Sequence, residues 1–229
     1  MVLAYSLGAY AVAIALKYAV QLPTIDWVID YFGQESAGLG VYYGLQTVFF
    51  EVGIAYIVAR YAVRRGKLGR RDAEGYGAGL AFWENAVLLG VLPLFSLVAY
   101  YAILSTNLPA ATTVYDLLSK NEPGLFDPAS QVLSSVALGT MERTSSILIH
   151  SAWGYLCLMA AVLDKKRLFF VALPMGFVDF LVPFAPSMGL VVFETLVFAI
   201  GLASVLVAWM SVRFVNGRRS VPTPAPVNG

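Results

Sequence analysis

Charge, cysteine and histidine are all scarce in this chain. Only 13% of its 229 residues are charged, about half the share of an ordinary globular domain, which argues against a soluble fold. One cysteine, Cys157, rules out an intramolecular disulfide. Lying inside an apolar run, it reads as a small buried hydrophobe. One histidine, His150, limits any imidazole chemistry to a single group. No cluster of basic residues is interleaved with aromatics, so nucleic acid is not an expected partner. No positive segment precedes the first apolar run and no small-residue cleavage pattern follows it, so that run reads as a retained helix and not a signal peptide. No inverted repeat is visible, which weighs against an inverted-repeat transporter.

Apolar residues are what the chain has instead: they make up 59% of it. Several runs reach the roughly 20 residues needed to cross a bilayer. The sequence therefore predicts an all-α, polytopic membrane bundle of about six transmembrane helices. The expected spans are Val2 to Val20, Gly38 to Val63, Tyr76 to Leu104, Ser130 to Leu163, Leu168 to about Pro186, and Met188 to Met210. The first is expected to end with Lys17 snorkelling at its far boundary. An acidic loop with a short interfacial helix should follow over Gln21–Ala37. The third span is expected to kink at Pro93. The polar, turn-rich stretch Ser105–Pro128 should lie outside the hydrocarbon. The fourth run is too long for one simple crossing and is expected to break near Gly139. Residues 1–213 form one transmembrane domain on this reading, and the Pro-rich residues 214–229 a disordered tail. Lys and Arg cluster between spans 2 and 3, between spans 4 and 5, and after span 6. Both termini are therefore expected to be cytoplasmic, by the positive-inside rule.

Charged groups inside the apolar runs are the exception that points to function, since such a group costs about 2.5–3.5 kcal/mol on insertion scales. Glu51 lies nine residues before Arg60 and Glu84 nine after Gly75, so both should sit roughly 13 Å in from the basic boundary at about 1.5 Å per residue. His150 and Asp179 should lie at roughly 21 and 18 Å. Four ionisable groups from four helices are thus expected in one layer, with Glu51, Glu84 and His150 sharing a pocket. Arg143, two turns before His150, lies on the same face nearer the outer surface and should pair with Glu142 or an acidic loop residue. Glu142 itself is expected to point elsewhere, and Glu194 to lie outside this layer. The GYGAG run before Glu84 offers close helix packing through small residues. A carboxylate beside an imidazole, reached by water, suits general-base activation of that water. Asn85 or His150 would then donate to a developing oxyanion. Amide hydrolysis inside the membrane fits these parts.

EVGIAYIVARYAVRR from Glu51, GAGLAFWEN with Glu84, ERTSSILIHSAWGYL with His150, DKKR, and LPMGFVDF with Asp179 follow one another along the chain. In that order and spacing they resemble the YhfC family of membrane peptidases, grouped with the PrsW proteases and CAAX prenyl endopeptidases as glutamic-type intramembrane proteases. GLAFWEN is also similar to the PrsW pattern Gly-x-x-Phe-Ala-x-x-Glu-Asn. The resemblance implies that Glu51 is the water-activating base, that Glu84 and His150 belong to the second and third motifs, and that Asp179 is the last polar position of the fourth. Three positions depart from it. Val52 stands for the second glutamate of the pair, Leu80 for a histidine, and Met175 for the histidine of the fourth motif.

The resemblance implies an intramembrane endopeptidase in the cell membrane of a prokaryote, acting on membrane-protein or peptide substrates with the lipid bilayer as its other partner. No cofactor is expected. Glu51, Glu84, His150 and Asp179 nominally offer a divalent metal such as zinc four ligands, but zinc usually draws on more His or Cys. A non-catalytic binding or scaffold relative and a proton-coupled transporter are the alternatives. The first follows from the three departures and the second from the intramembrane carboxylates.

Overall fold

The computed structural model describes residues 1–91, 94–95, 98–99, 102, 109–121 and 128–217. The expected kink at Pro93, part of the 105–128 loop and the tail from 218 lie outside them. Helix α1 spans Val2–Phe32. Helix α2 spans Ala37–Arg64 and α3 begins at Ala73–Phe82 and carries on through Trp83–Val91. Helix α4 is Pro109–Asn121 and α5 Ala129–Leu163. Helix α6 covers Lys166–Met188, and α7 Leu190–Gly217. Five of these, α1, α2, α5, α6 and α7, are long and apolar enough to cross a membrane over their described residues. The fold is a polytopic helical bundle, and the protein is an integral membrane protein.

Helix α5 forms the axis of the bundle. Its apolar window is 56% buried, against at most 33% for the other spanning helices. It packs against α2, α3, α6 and α7, while α1 lies across α2 and α3. The core is built from small residues along α2 (Ala55, Ala59, Ala62) facing Trp153, Leu156, Met159 and Ala160 of α5. Cys157 is fully buried there, its thiol donating to the Val52 carbonyl at 3.6 Å. Small side chains let helices approach closely, which is how membrane bundles gain contact without a hydrophobic driving force. One polar strut crosses this core: the buried Tyr76 hydroxyl donates to the Ala55 carbonyl at 2.8 Å. Tyr76→Phe should cost about 0.5–1.5 kcal/mol of stability, read by unfolding in detergent, because an amide carbonyl loses a neutral donor.

Three expectations about helix limits are corrected. Helix α1 does not end near Val20; it runs through Pro23 to Phe32, where a loop was expected. The proline removes one backbone donor without breaking the helix, and Thr24 beside it donates to the Val20 carbonyl at 2.6 Å and pairs with the Tyr42 hydroxyl of α2. Its last turns carry Trp27 stacked on Tyr31 at 5.8 Å, amphipathic rings of the type that favour the membrane–water boundary. Lys17 is therefore placed mid-helix and does not snorkel at an end. Helix α5 likewise has no break at Gly139. One glycine costs a helix only about 1 kcal/mol, and the Thr140 and Thr144 hydroxyls that follow it bond back to the carbonyls of Val136 and Thr140. Helix α7 also runs past Arg213 to Gly217. Gly75 of α3 packs against Val2, Arg213 stacks over Trp209 at 3.8 Å within α7, and Lys165, Lys166 and Arg167 share a surface hollow with Ser211 and Phe214, which puts the basic start of α6 beside the end of α7.

Candidate active site

Three of the four predicted polar residues are carried by helix segments that are not regular α. Glu51 sits in a π-helical turn of α2, Thr47–Val52. Glu84 sits in another in α3, Trp83–Val91. Asp179 lies in the 3₁₀ stretch Phe177–Phe184 of α6. A π-turn widens the helix and shifts the direction of every side chain that follows, and such turns recur at functional sites. His150 alone comes from the regular axis helix, with the Trp153 ring against it at 4.9 Å. The α6 stretch reaches α2 because Gly40 and Gly44 leave room for Phe180 and Phe177; a Cβ on either glycine would overlap those rings.

These elements bring Glu51, Glu84, His150 and Asp179 to one cavity of about 160 Å³. Nε2 of His150 is 3.2 Å from Oε2 of Glu51 and 2.5 Å from Oε2 of Glu84. Its other nitrogen, Nδ1, is 2.9 Å from the Ser146 carbonyl. A carbonyl only accepts, so Nδ1 carries a proton and donates it there. The Nε2 lone pair of a neutral ring then faces two carboxylate oxygens. Glu51 is 5% exposed and His150 10%, so water does little to relieve that crowding.

Lys17 was missed as a site residue. Its ammonium lies 2.6 Å from Oε1 of Glu51, donates to the Thr47 hydroxyl at 3.0 Å, and is 3.4 Å from Oδ2 of Asp179. Thr47 in turn donates to Asp179. A signal for it existed: had α1 been allowed to pass Pro23, Lys17 would have fallen near the middle of a 31-residue helix.

Arg143 lines the cavity and is ion-paired with Glu142. Glu142 lines it too, contrary to expectation, because the two side chains fold onto each other from adjacent positions. Asn85 does not line it. Its amide donates to the Ala81 carbonyl at 3.0 Å and to the Ser146 hydroxyl at 3.1 Å. Both donors are spent there, and the same Ser146 hydroxyl lies 3.2 Å from Nδ1 of His150. Glu194 is 2% exposed and outside the cavity, with Oε2 lacking a hydrogen bond among the described residues.

A family model described as the YhfC intramembrane metalloprotease matches residues 29–188, well over half of the chain. The chain belongs to the YhfC family. No curated protein and no solved structure matches it. The three positions expected to depart from the family pattern are all packed in the apolar core: Val52 is 0% exposed, Leu80 1% and Met175 6%. None of them lines the cavity. The donors that meet there are therefore a set independent of those three positions.

The family's description implies a metal, and the residues present fit one. Glu51, Glu84 and His150 each offer a ligand atom, all within 4.8 Å of one another. The Glu84 Oε2 that faces Nε2 is buried and, among the described residues, accepts no hydrogen bond with proper geometry. Nδ1 donating to a backbone carbonyl is the outer-shell arrangement that orients a ligating imidazole through its other nitrogen. Charge agrees as well. The carboxylates of Glu51, Glu84 and Asp179 against the single ammonium of Lys17 leave two negative charges in a low-dielectric hollow, which one divalent cation would neutralise. A metal is thus possible here, where the sequence favoured none.

Proposed function

We propose that this chain hydrolyses peptide bonds of membrane-embedded or membrane-associated substrates, at a centre where Glu51, Glu84 and His150 hold one divalent cation. The observation that carries the reading is the approach of two carboxylate oxygens to one imidazole nitrogen, an arrangement that a cation held between its members would relieve. Three protein ligands with room for a fourth is the pattern of catalytic sites, and structural ones are closed by a full ligand set. When bound, the ion supplies Lewis-acid polarisation of the scissile carbonyl and makes water nucleophilic near neutral pH.

The chain's own residues do the rest. Asp179 is held by Thr47, lines the cavity, and its side chain is 32% exposed. With Glu142 paired to Arg143, it is the carboxylate left to take a proton from the attacking water and return it to the leaving amine. Arg143 places a guanidinium on the cavity wall, where it can bond the substrate carbonyl oxygen. Val178, Val182, Phe193 and Val197 complete the lining from α6 and α7, an apolar flank suited to a hydrophobic substrate segment.

The glutamic-type alternative, in which Glu51 activates water without a metal, is favoured by one contact: Lys17 already neutralises Glu51 at 2.6 Å. Purified full-length protein in liposomes, offered a panel of labelled single-span peptides, separates the two. Cleavage abolished by a chelator and restored by a divalent metal is expected. Cleavage indifferent to chelation would replace the metal by Glu51 alone. Absence of cleavage across the panel, with metal bound, would favour a binding relative.

A further inference from the structure

The matched family region begins at residue 29, yet α1, almost all of it upstream, contributes Lys17 to the lining of the cavity. A lysine at this depth of an apolar helix is costly and persists where partners hold it. Here the partners come from two other helices, Thr47 and Glu51 from α2 and Asp179 from α6. Among the described residues it is the one ammonium in contact with the proposed ligands.

We infer that Lys17 is a positioning residue: it fixes the Glu51 carboxylate so that a single oxygen, Oε2, faces His150 and Glu84. This rests on the proposed centre and adds a part that the matched region does not contain. A glutamate in a widened turn has three side-chain torsions to settle. One of its oxygens is tied to Nζ at 2.6 Å and the other lies 3.2 Å from Nε2, so the plane of the carboxylate is set from both sides. With Oε1 occupied, Glu51 offers one ligand atom and not two, which leaves coordination space for water and substrate. The same ammonium reaches Asp179, so the proton-transfer carboxylate and the ligand carboxylate are held relative to each other by one group from α1. Removing it would leave three carboxylates facing one another and free Glu51 to turn away from Glu84.

The test uses full-length protein in detergent as parent, Lys17→Met and Lys17→Arg, checked for equal helicity and elution. In Mn²⁺ titration calorimetry, Lys17→Met is expected to weaken binding about 10–100-fold, the usual effect of losing an outer-shell partner. Lys17→Arg should recover most of it, since a guanidinium can bridge the same two carboxylates. Binding to Lys17→Met as tight as to the parent, or tighter, would mean that Lys17 only adds charge and would overturn positioning. A second readout needs no metal. His150 is the sole histidine, so nitrogen-15 histidine labelling reports one imidazole. Lys17→Met should move the Nε2 resonance and leave Nδ1, held by Ser146, in place; an unmoved Nε2 would overturn the inference. If the parent binds no Mn²⁺, the metal centre fails, and the imidazole spectrum still decides on Lys17.

Discussion

His150→Ala should lower peptide cleavage by more than about a hundredfold, with the purified protein still folded and helical. Loss of an outer-shell partner alone typically costs 10–100-fold in affinity or activity, and His150 stands nearer the centre than that. It is the only nitrogen donor of the three converging groups, within 3.2 Å of Glu51 and 2.5 Å of Glu84. A hundredfold corresponds to about 2.7 kcal/mol of barrier. Glu51→Gln and Glu84→Gln should each give a comparable loss. The three changes together should cost little more than one, because groups acting as a unit are not additive. Initial rates on a labelled membrane peptide check this. A His150→Ala protein that cleaves at even a tenth of the parental rate would remove the imidazole from the chemistry.

The largest stability effect should come from Gly77→Ala. Helices α3 and α5 cross backbone to backbone at Gly77 and Gly154. A Cβ at Gly77 would overlap the Ser151 carbonyl oxygen and lie 2.9 Å from the Tyr155 nitrogen, and a Cβ at Gly154 would lie 2.7 Å from the Gly77 Cα. These neighbours are main chain and cannot turn aside, so the helices must separate. Overpacking costs typically 1–3 kcal/mol, and about 3 kcal/mol is expected here because no side chain can relax. Activity should fall as well. The crossing lies one turn from His150 on α5 and two turns from Glu84 on α3, so spreading it draws those two apart. Gly139→Ala is the control. Among the described residues nothing lies within 4 Å of its added methyl, and a helical Gly→Ala change should be stabilising by about 0.5–1 kcal/mol. Thermal unfolding in detergent, followed by helicity, compares the two.

The membrane fold was legible because hydrophobic run length is a property of composition, and a bilayer admits few structures for such runs. The shared depth of Glu51, Glu84 and His150 was legible for a related reason: a helix advances by a fixed rise, so counting from the basic boundary gives height. Counting does not give azimuth. Two π-turns swing Glu51 and Glu84 round to the imidazole, and a π-turn leaves no mark in residue spacing. The segment Gln21–Phe32 misled because proline and acidic residues look like a loop, whereas α1 absorbs Pro23 at the cost of one backbone bond. That single error moved Lys17 from the middle of a helix to its end and hid the group that ties the carboxylates together.

By itself, then, the sequence determined that the chain spans a membrane in a helical bundle, which family pattern it follows, and at what height its ionisable residues lie. Only the tertiary structure decided that Val52, Leu80 and Met175 pack in the core, that Asn85 stands behind His150, and that Lys17 faces Glu51. Height along a helix is set by local backbone geometry, whereas the direction of a side chain around the axis is settled by the neighbours it packs against.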